Sequence, residues 1–193
     1  MSLQAELAKA HGDFFRIPEG GANAEGVRGA EVMGWAISRQ LDSMPVKPTQ
    51  VCLACGTSNT MAGVVAGLHS DRLHASNLGV VGFSVLKGEG DLGRQILAQQ
   101  STLVSAPGLA GQAPSWRLIS GYHGGGYARK LPPQIHQFGH KFEAETGVLL
   151  DPVYTLKMVW GVAQLLRQNY WPRGSRLLLV HTGGMQGRRG FEY

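Results

Sequence analysis

Glycine and hydroxyl residues gather at one turn of this sequence. Gly56, Thr57, Ser58, Asn59 and Thr60 follow an apolar run at 50–54 and precede a small-residue run at 61–68. A glycine turn at the mouth of a helix presents unpaired backbone N–H groups, which bind anions together with the helix dipole. The hydroxyls add donors, so the chemistry on offer is phosphate binding. The pattern matches neither a P-loop nor a dinucleotide fingerprint, and an ordinary βα turn reads the same way. A second candidate is His181-Thr182-Gly183-Gly184, directly after the apolar run 177–180. In open α/β sheets ligands sit outside the carboxyl ends of strands; a tight closing turn is the alternative. A third is Tyr154, just ahead of a helical segment in Asp151-Pro152-Val153-Tyr154-Thr155-Leu156-Lys157. There a tyrosine hydroxyl either enters a cleft as an acid or base, or is buried with its hydroxyl satisfied.

The elements that must position these residues alternate. Helices are expected at 3–10, 24–41, 61–68, 91–103, 132–146 and 155–169. Strands are expected at 14–17, 50–54, 78–86, 116–119 and 176–181. Pro18, Pro45 and Pro48 end segments, and Pro132-Pro133 suits a helix's first turn. Continuous apolar strands between helices imply an α/β fold: a three-layer, open, mostly parallel sheet with helices on both faces. One domain over 1–193 is expected, and the glycine-rich stretch 121–127 is the functional-loop candidate.

Bulk properties narrow the function classes. The chain has 193 residues, 43% hydrophobic and 16% charged, with 28 glycines and a net charge of +5. That supports a packed core and argues against disorder. Lysine and arginine are scattered without interleaved aromatics, and no nucleic-acid module is present. No stretch reaches the length of a membrane span, and the N-terminus lacks a signal-peptide core, so a cytoplasmic protein is expected. Cys52 and Cys55 form C-L-A-C with no second cysteine pair; inside an apolar strand they read as small hydrophobes rather than a redox pair or zinc site.

The order of the motifs adds to this. Pro18-Glu19-Gly20-Gly21-Ala22-Asn23, Ala54-Cys55-Gly56-Thr57, Asp151-Pro152-Val153-Tyr154 and His181-Thr182-Gly183-Gly184 together resemble the C-terminal portion of the D-cysteine desulfhydrase / 1-aminocyclopropane-1-carboxylate (ACC) deaminase family. These are tryptophan-synthase-β-like enzymes dependent on pyridoxal phosphate. The resemblance covers almost the whole chain, with the Pro-Val-Tyr and Thr-Gly-Gly segments its most specific parts. It implies that Gly56, Thr57, Ser58, Asn59 and Thr60 form the phosphate cup, and that Thr182 offers a neutral hydroxyl to the cofactor's ring nitrogen. Tyr154 would be an acid or base near the substrate. Thr155, where ACC deaminases tend to carry glutamate, would also face the cofactor, which favours the desulfhydrase-like branch.

Three departures qualify the resemblance. Ser58-Asn59 replaces a Gly-Gly pair, with Asn59 expected to tolerate a left-handed backbone. Leu156 replaces a glycine. The family's Schiff-base lysine belongs to an upstream segment with no counterpart among Lys9, Lys47, Lys87, Lys130, Lys141 and Lys157; Lys157 falls where the family has a different lysine. The expectation is a truncated or split lyase or deaminase for a small amino acid, holding the cofactor without covalent attachment and inactive or nearly so by itself. A homodimer or a complementing N-terminal chain is the expected partner. Two alternatives stand: a non-catalytic pyridoxal-phosphate- or phosphate-binding or interaction protein of the same fold, and an unrelated nucleotide-binding α/β domain using the 56–60 turn.

Overall fold

Strand β1, Gln50–Cys55, alternates its side chains between two cores. Val51, Leu53 and Cys55 enter one hydrophobic cluster, and Cys52 and Ala54 enter the other. Alternation with both sets buried marks a central strand covered on both faces. The computed structural model describes residues 3–70, 78–87, 94, 96, 115–127 and 130–191. The sheet order is β3-β2-β1-β4, with β2 at Gly79–Ser84, β3 at Trp116–Ile119 and β4 at Leu177–Leu179. All three pairings are parallel, with Val51 opposite Val80 and Leu178.

Helix α1 spans Leu3–His11, and one face of the sheet is covered by helices α2 (Ala24–Ser43) and α3 (Asn59–Ser70). Ile37 and Leu41 of α2 join Met61, Val64, Val65 and Leu68 of α3 in the first cluster. Small residues let the two helices meet. A Cβ at Gly34 would lie 2.8 Å from the Cα of Gly67, and one at Gly63 would lie 2.5 Å from the Ala30 Cβ. Asn23 caps α2, its side chain accepting from the Gly26 N–H at 2.8 Å.

The other face is covered by α4 (Pro133–Thr146) and α5 (Thr155–Arg167). Leu156, Met158, Val159, Val162 and Leu165 of α5 pack on Val81 and Phe83 of β2, with Ile135 of α4 beyond. Gly161 is necessary here, because a Cβ would stand 2.7 Å from the Phe83 ring. Pro133 opens α4 and Gly147, at φ 70°, closes it. The three-layer parallel architecture expected from the sequence is the one observed.

Two expectations differ locally. Residues 14–17 belong to no strand of the described sheet, and Phe15 and Ile17 are more than two-thirds exposed. Their β-propensity is an effect of packing, and no described strand lies alongside to supply it. Strand β4 is shorter than 176–181: after Val180 donates to the Cys52 carbonyl at 2.9 Å, His181 turns away to bond the Leu149 carbonyl at 2.9 Å. The helix expected at 91–103 falls outside the described residues except at Arg94 and Ile96, both helical.

Candidate functional site

The turn from β1 into α3 forms the floor of a cavity. Gly56 must lack a side chain, since a Cβ would stand 2.7 Å from the Tyr127 hydroxyl and 3.3 Å from the Tyr154 ring. Ser58 reverses the chain at φ 69° and its hydroxyl donates to the Thr57 carbonyl at 2.5 Å. The left-handed residue is therefore Ser58, not Asn59 as expected. Asn59 is already the first residue of α3, and its side chain is used elsewhere: Nδ2 donates to the Gly21 carbonyl. That bond joins the short 3-10 turn Glu19–Gly21 to the cup. The Asn59 Oδ1 is buried and has no partner among the described residues. The Ala62 N–H donates to the Ser58 carbonyl at 2.9 Å, and the first-turn N–H groups ahead of it lack carbonyls four residues upstream within the helix, as an anion site requires.

Asp151 builds the wall that carries Tyr154. Its fully buried carboxylate accepts from the N–H groups of Val153 (3.0 Å), Tyr154 (2.8 Å) and Thr155 (2.8 Å). Thr155 and Tyr154 are the first helical residue and the N-cap of α5, and Val153 lies in the turn that leads into it. The Thr155 hydroxyl donates to the same carboxylate at 2.7 Å. Thr155 is fully buried and does not line the cavity, so its hydroxyl fixes the turn under Tyr154 instead of facing a ligand. The Thr182–Gly184 segment packs on the same group: a Cβ at Gly184 would lie 3.2 Å from the Asp151 Cγ.

The glycine-rich loop 121–127, the functional-loop candidate of the sequence, supplies a further wall through Tyr127, which was not among the expected site residues. Gly124, Gly125 and Gly126 take φ of 59°, 99° and 81°, which only glycine adopts freely in succession. They deliver Tyr127 edge-on to Tyr154, ring centroids 5.7 Å apart and hydroxyls 3.5 Å apart. Burial, then the neighbouring Tyr154 hydroxyl, raises the Tyr127 pKa above the ordinary phenol value. Tyr127 therefore stays protonated at neutral pH; its oxygen accepts from the Tyr154 hydroxyl, which leaves its own O–H available to donate. An aromatic residue ending a run of three glycines was the available signal. Behind the loop, Lys157 of α5 is 1% exposed and donates to the Gly126 carbonyl at 2.5 Å. Burial lowers its pKa to about 8, opposed by the charge of Asp151.

On the far side, Thr182, Gly183 and Gly184 close the cavity. The His181 Nδ1 accepts from the Gly183 N–H at 3.1 Å. The following 3-10 turn, Met185–Gly190, is anchored by Arg188, which binds both carboxylate oxygens of Glu143 and donates to the Leu150 carbonyl at 2.7 Å. Burial opposes ionisation of Glu143, but the hydrogen bonds from Arg188 and the Leu150 N–H hold its pKa below the usual 4.5.

The resulting cavity of about 330 Å³ is lined by Gly56, Thr57, Ser58, Asn59, Thr60, Tyr154 and Thr182, joined by Tyr127 and Glu19. Of the residues expected from sequence, only Thr155 stands apart. None of the chain's six lysines lines it. The Cys52 and Cys55 thiols are buried and pushed up to about 12 by that burial, so neither is a nucleophile at neutral pH. A floor without side chains, a helix N-terminus, hydroxyl donors and two aromatic walls fit a small, flat, phosphate-bearing ring compound such as pyridoxal phosphate.

The cavity lies at the carboxyl ends of the parallel strands, where open α/β sheets bind their ligands. A family model described as "Pyridoxal-phosphate dependent enzyme" matches residues 1–183, and the chain belongs to that family. It is similar to the mitochondrial bifunctional D-cysteine desulfhydrase/1-aminocyclopropane-1-carboxylate deaminase of Arabidopsis thaliana, 29% identical over 96% of this chain and 45% of that protein. It is 31% identical to the D-cysteine desulfhydrase of Klebsiella pneumoniae strain 342, over 87% of this chain and 49% of that enzyme. A crystal structure described as that of an ACC deaminase homologue superposes with a TM-score of 0.73 at 28% identity, covering 95% of this chain and 53% of the other. The chain thus spans about half the length of the relatives it matches.

Proposed function

We propose that this chain is the cofactor-holding part of a pyridoxal-phosphate-dependent lyase or deaminase for a small amino acid, of the kind its relatives' names describe: D-cysteine or 1-aminocyclopropane-1-carboxylate. The observation that carries this reading is the meeting of the 56–60 turn, Tyr127, Tyr154 and Thr182 around one cavity. When bound, pyridoxal phosphate supplies an electron sink for the substrate carbon undergoing bond cleavage.

The chain's own residues do the rest. The first-turn N–H groups of α3, with Thr57 and Thr60, hold the phosphate. Thr182 offers the ring nitrogen a neutral hydroxyl and so leaves it unprotonated. Tyr127, kept protonated, donates to developing negative charge, and Tyr154 beside it moves a proton to or from the substrate. The amine that takes the proton from the substrate α-carbon is not among the residues lining the cavity. We assign it to a further polypeptide segment, covalently continuous or separate, so that the isolated chain binds cofactor but does not turn over. Free, buried Cys52 and Cys55 suit a reducing compartment and support a cytoplasmic setting.

Mixing the chain with the N-terminal half of a full-length relative that carries the reactive lysine tests this directly. A cofactor absorbance band and release of keto acid and ammonia, with sulfide from D-cysteine, are expected. A mixture that folds yet gives neither favours the second reading, a non-catalytic binding protein of the same fold, which the lysine-free cavity also supports.

A further inference from the structure

Lys157 lies outside the cavity, a buried cation in a helix whose other buried side chains are apolar except for Thr155. An ammonium withdrawn from water is costly unless its bonds are specific, and an apolar side chain of the same length would fill that space at lower cost. Its hydrogen-bond acceptor among the described residues is the Gly126 carbonyl, and its Cε packs 3.6 Å from the position a Gly124 Cβ would take. The loop's own hydrogen bonds are local: Gly125 N–H to His123 Nδ1 and Gly126 N–H to His123 O, each 3.0 Å. They shape the loop, and among the described residues its other hydrogen-bonded tie to α5 is the long Tyr154–Tyr127 hydroxyl contact at 3.5 Å. Lys157 stands one helical turn after Tyr154, so one helix carries Tyr154 and grips the loop that carries Tyr127.

We infer that Lys157 is a positioning residue: by holding the Gly126 carbonyl it sets where the Tyr127 hydroxyl stands over Gly56, and so fixes the ring-facing wall of the site. The ligand part of this inference rests on the cofactor reading above; the positioning part does not. It implies a division within the site. Phosphate binding belongs to α3 and its turn, which Lys157 does not touch, whereas recognition of the ring depends on the Lys157-held loop.

The test compares Lys157→Met, which keeps the length and loses the donor, with Lys157→Gln, which keeps a donor. Hydrogen exchange of the ligand-free proteins should show the amides of 124–127 exchanging about tenfold faster in Lys157→Met, with β1 and α3 unchanged. Pyridoxal phosphate should bind about five- to tenfold more weakly, while inorganic phosphate binds within about twofold of wild type. Lys157→Gln should recover part of both losses, and Tyr127→Phe should cost little more in the Lys157→Met background. Unchanged exchange in 124–127, or acceleration spread through β1 and α3, overturns the inference. So does an equal loss of pyridoxal phosphate and inorganic phosphate. A wild-type protein that binds no pyridoxal phosphate would sink the cofactor reading, and the exchange result would still decide the role of Lys157.

Discussion

Tyr127 and Tyr154 lie 27 residues apart in sequence and bring their hydroxyls to 3.5 Å, one from a glycine loop and the other from the mouth of α5. Together they roof the Gly56 floor, where a Cβ would collide with the Tyr127 hydroxyl. A hydrogen bond between two hydroxyls contributes about 0.5–1.5 kcal/mol and couples the groups that share it. Tyr127→Phe and Tyr154→Phe should each weaken pyridoxal phosphate binding by about three- to tenfold, with a combined loss smaller than the product of the two. Calorimetric titration of the four proteins checks this, and strictly multiplicative losses would show that the tyrosines act independently.

Ser58 bears the one left-handed backbone in the cup, at φ 69°. A non-glycine residue there costs about 1–2 kcal/mol, partly offset in glycine by the greater freedom of its unfolded chain. Ser58→Gly should therefore unfold at a free energy up to about 1 kcal/mol higher than wild type. Ser58→Ala keeps the strain and loses the hydroxyl bond, so it should fall below wild type. Urea denaturation that ranks alanine above glycine would contradict the strain argument.

Thr155 and Asp151 act as one capping unit. Thr155→Val removes the donor to the Asp151 carboxylate and should cost about 1–2 kcal/mol of stability. Its pyridoxal phosphate affinity should stay within about twofold of wild type, because the side chain is off the cavity. Asp151→Ala orphans three backbone N–H groups and should cost more, about 2–4 kcal/mol, with ligand affinity falling alongside. Thermal unfolding with parallel titrations separates these outcomes. A Thr155→Val protein that keeps full stability and loses affinity would place its hydroxyl in the ligand site after all.

The Arg188–Glu143 pair should give the stability curve an acid limb. Glu143 has its folded pKa held below 4.5, so its contribution is complete above the unfolded value and disappears as pH falls through the folded one. Arg188→Ala should cost about 2 kcal/mol near neutrality, discounted for the partial exposure of the pair, and progressively less below about pH 4. Denaturant unfolding at pH 7, 5, 4 and 3 measures that difference; one that stays constant throughout would remove Glu143 from the account.

Much of this arrangement was legible because it depends on local chemistry. The β1–α3 unit announces itself by an apolar strand, a glycine and a small-residue helix, and the helix mouth follows from that order. Thr182 was legible as the first small residue past a strand end. The loop 121–127 was legible from its glycines, but Tyr127 as a site residue was not, because a loop residue has no period to mark it and its partner is fixed only by tertiary packing. Thr155 looked like a ligand contact because position was visible and direction was not; the Asp151 carboxylate that captures it lies four residues back. Ser58 and Asn59 exchanged roles for a related reason. Left-handed tolerance favours asparagine, but the Gly21 carbonyl recruits the Asn59 side chain and leaves the strained position to serine. Lys157 interrupts the apolar run Leu156–Val159, a signal that a buried amine is serving a backbone carbonyl.

The central claim is that the cavity holds pyridoxal phosphate without a covalent link to this chain. The most direct measurement is a titration of the isolated chain with pyridoxal phosphate, followed by borohydride reduction and peptide mapping. Saturable one-to-one binding is predicted, competed by inorganic phosphate and weakened at least about tenfold by Gly56→Val in a folded protein, with no lysine labelled stoichiometrically. Absence of saturable binding, or a stoichiometric adduct at one of the six lysines, would contradict it.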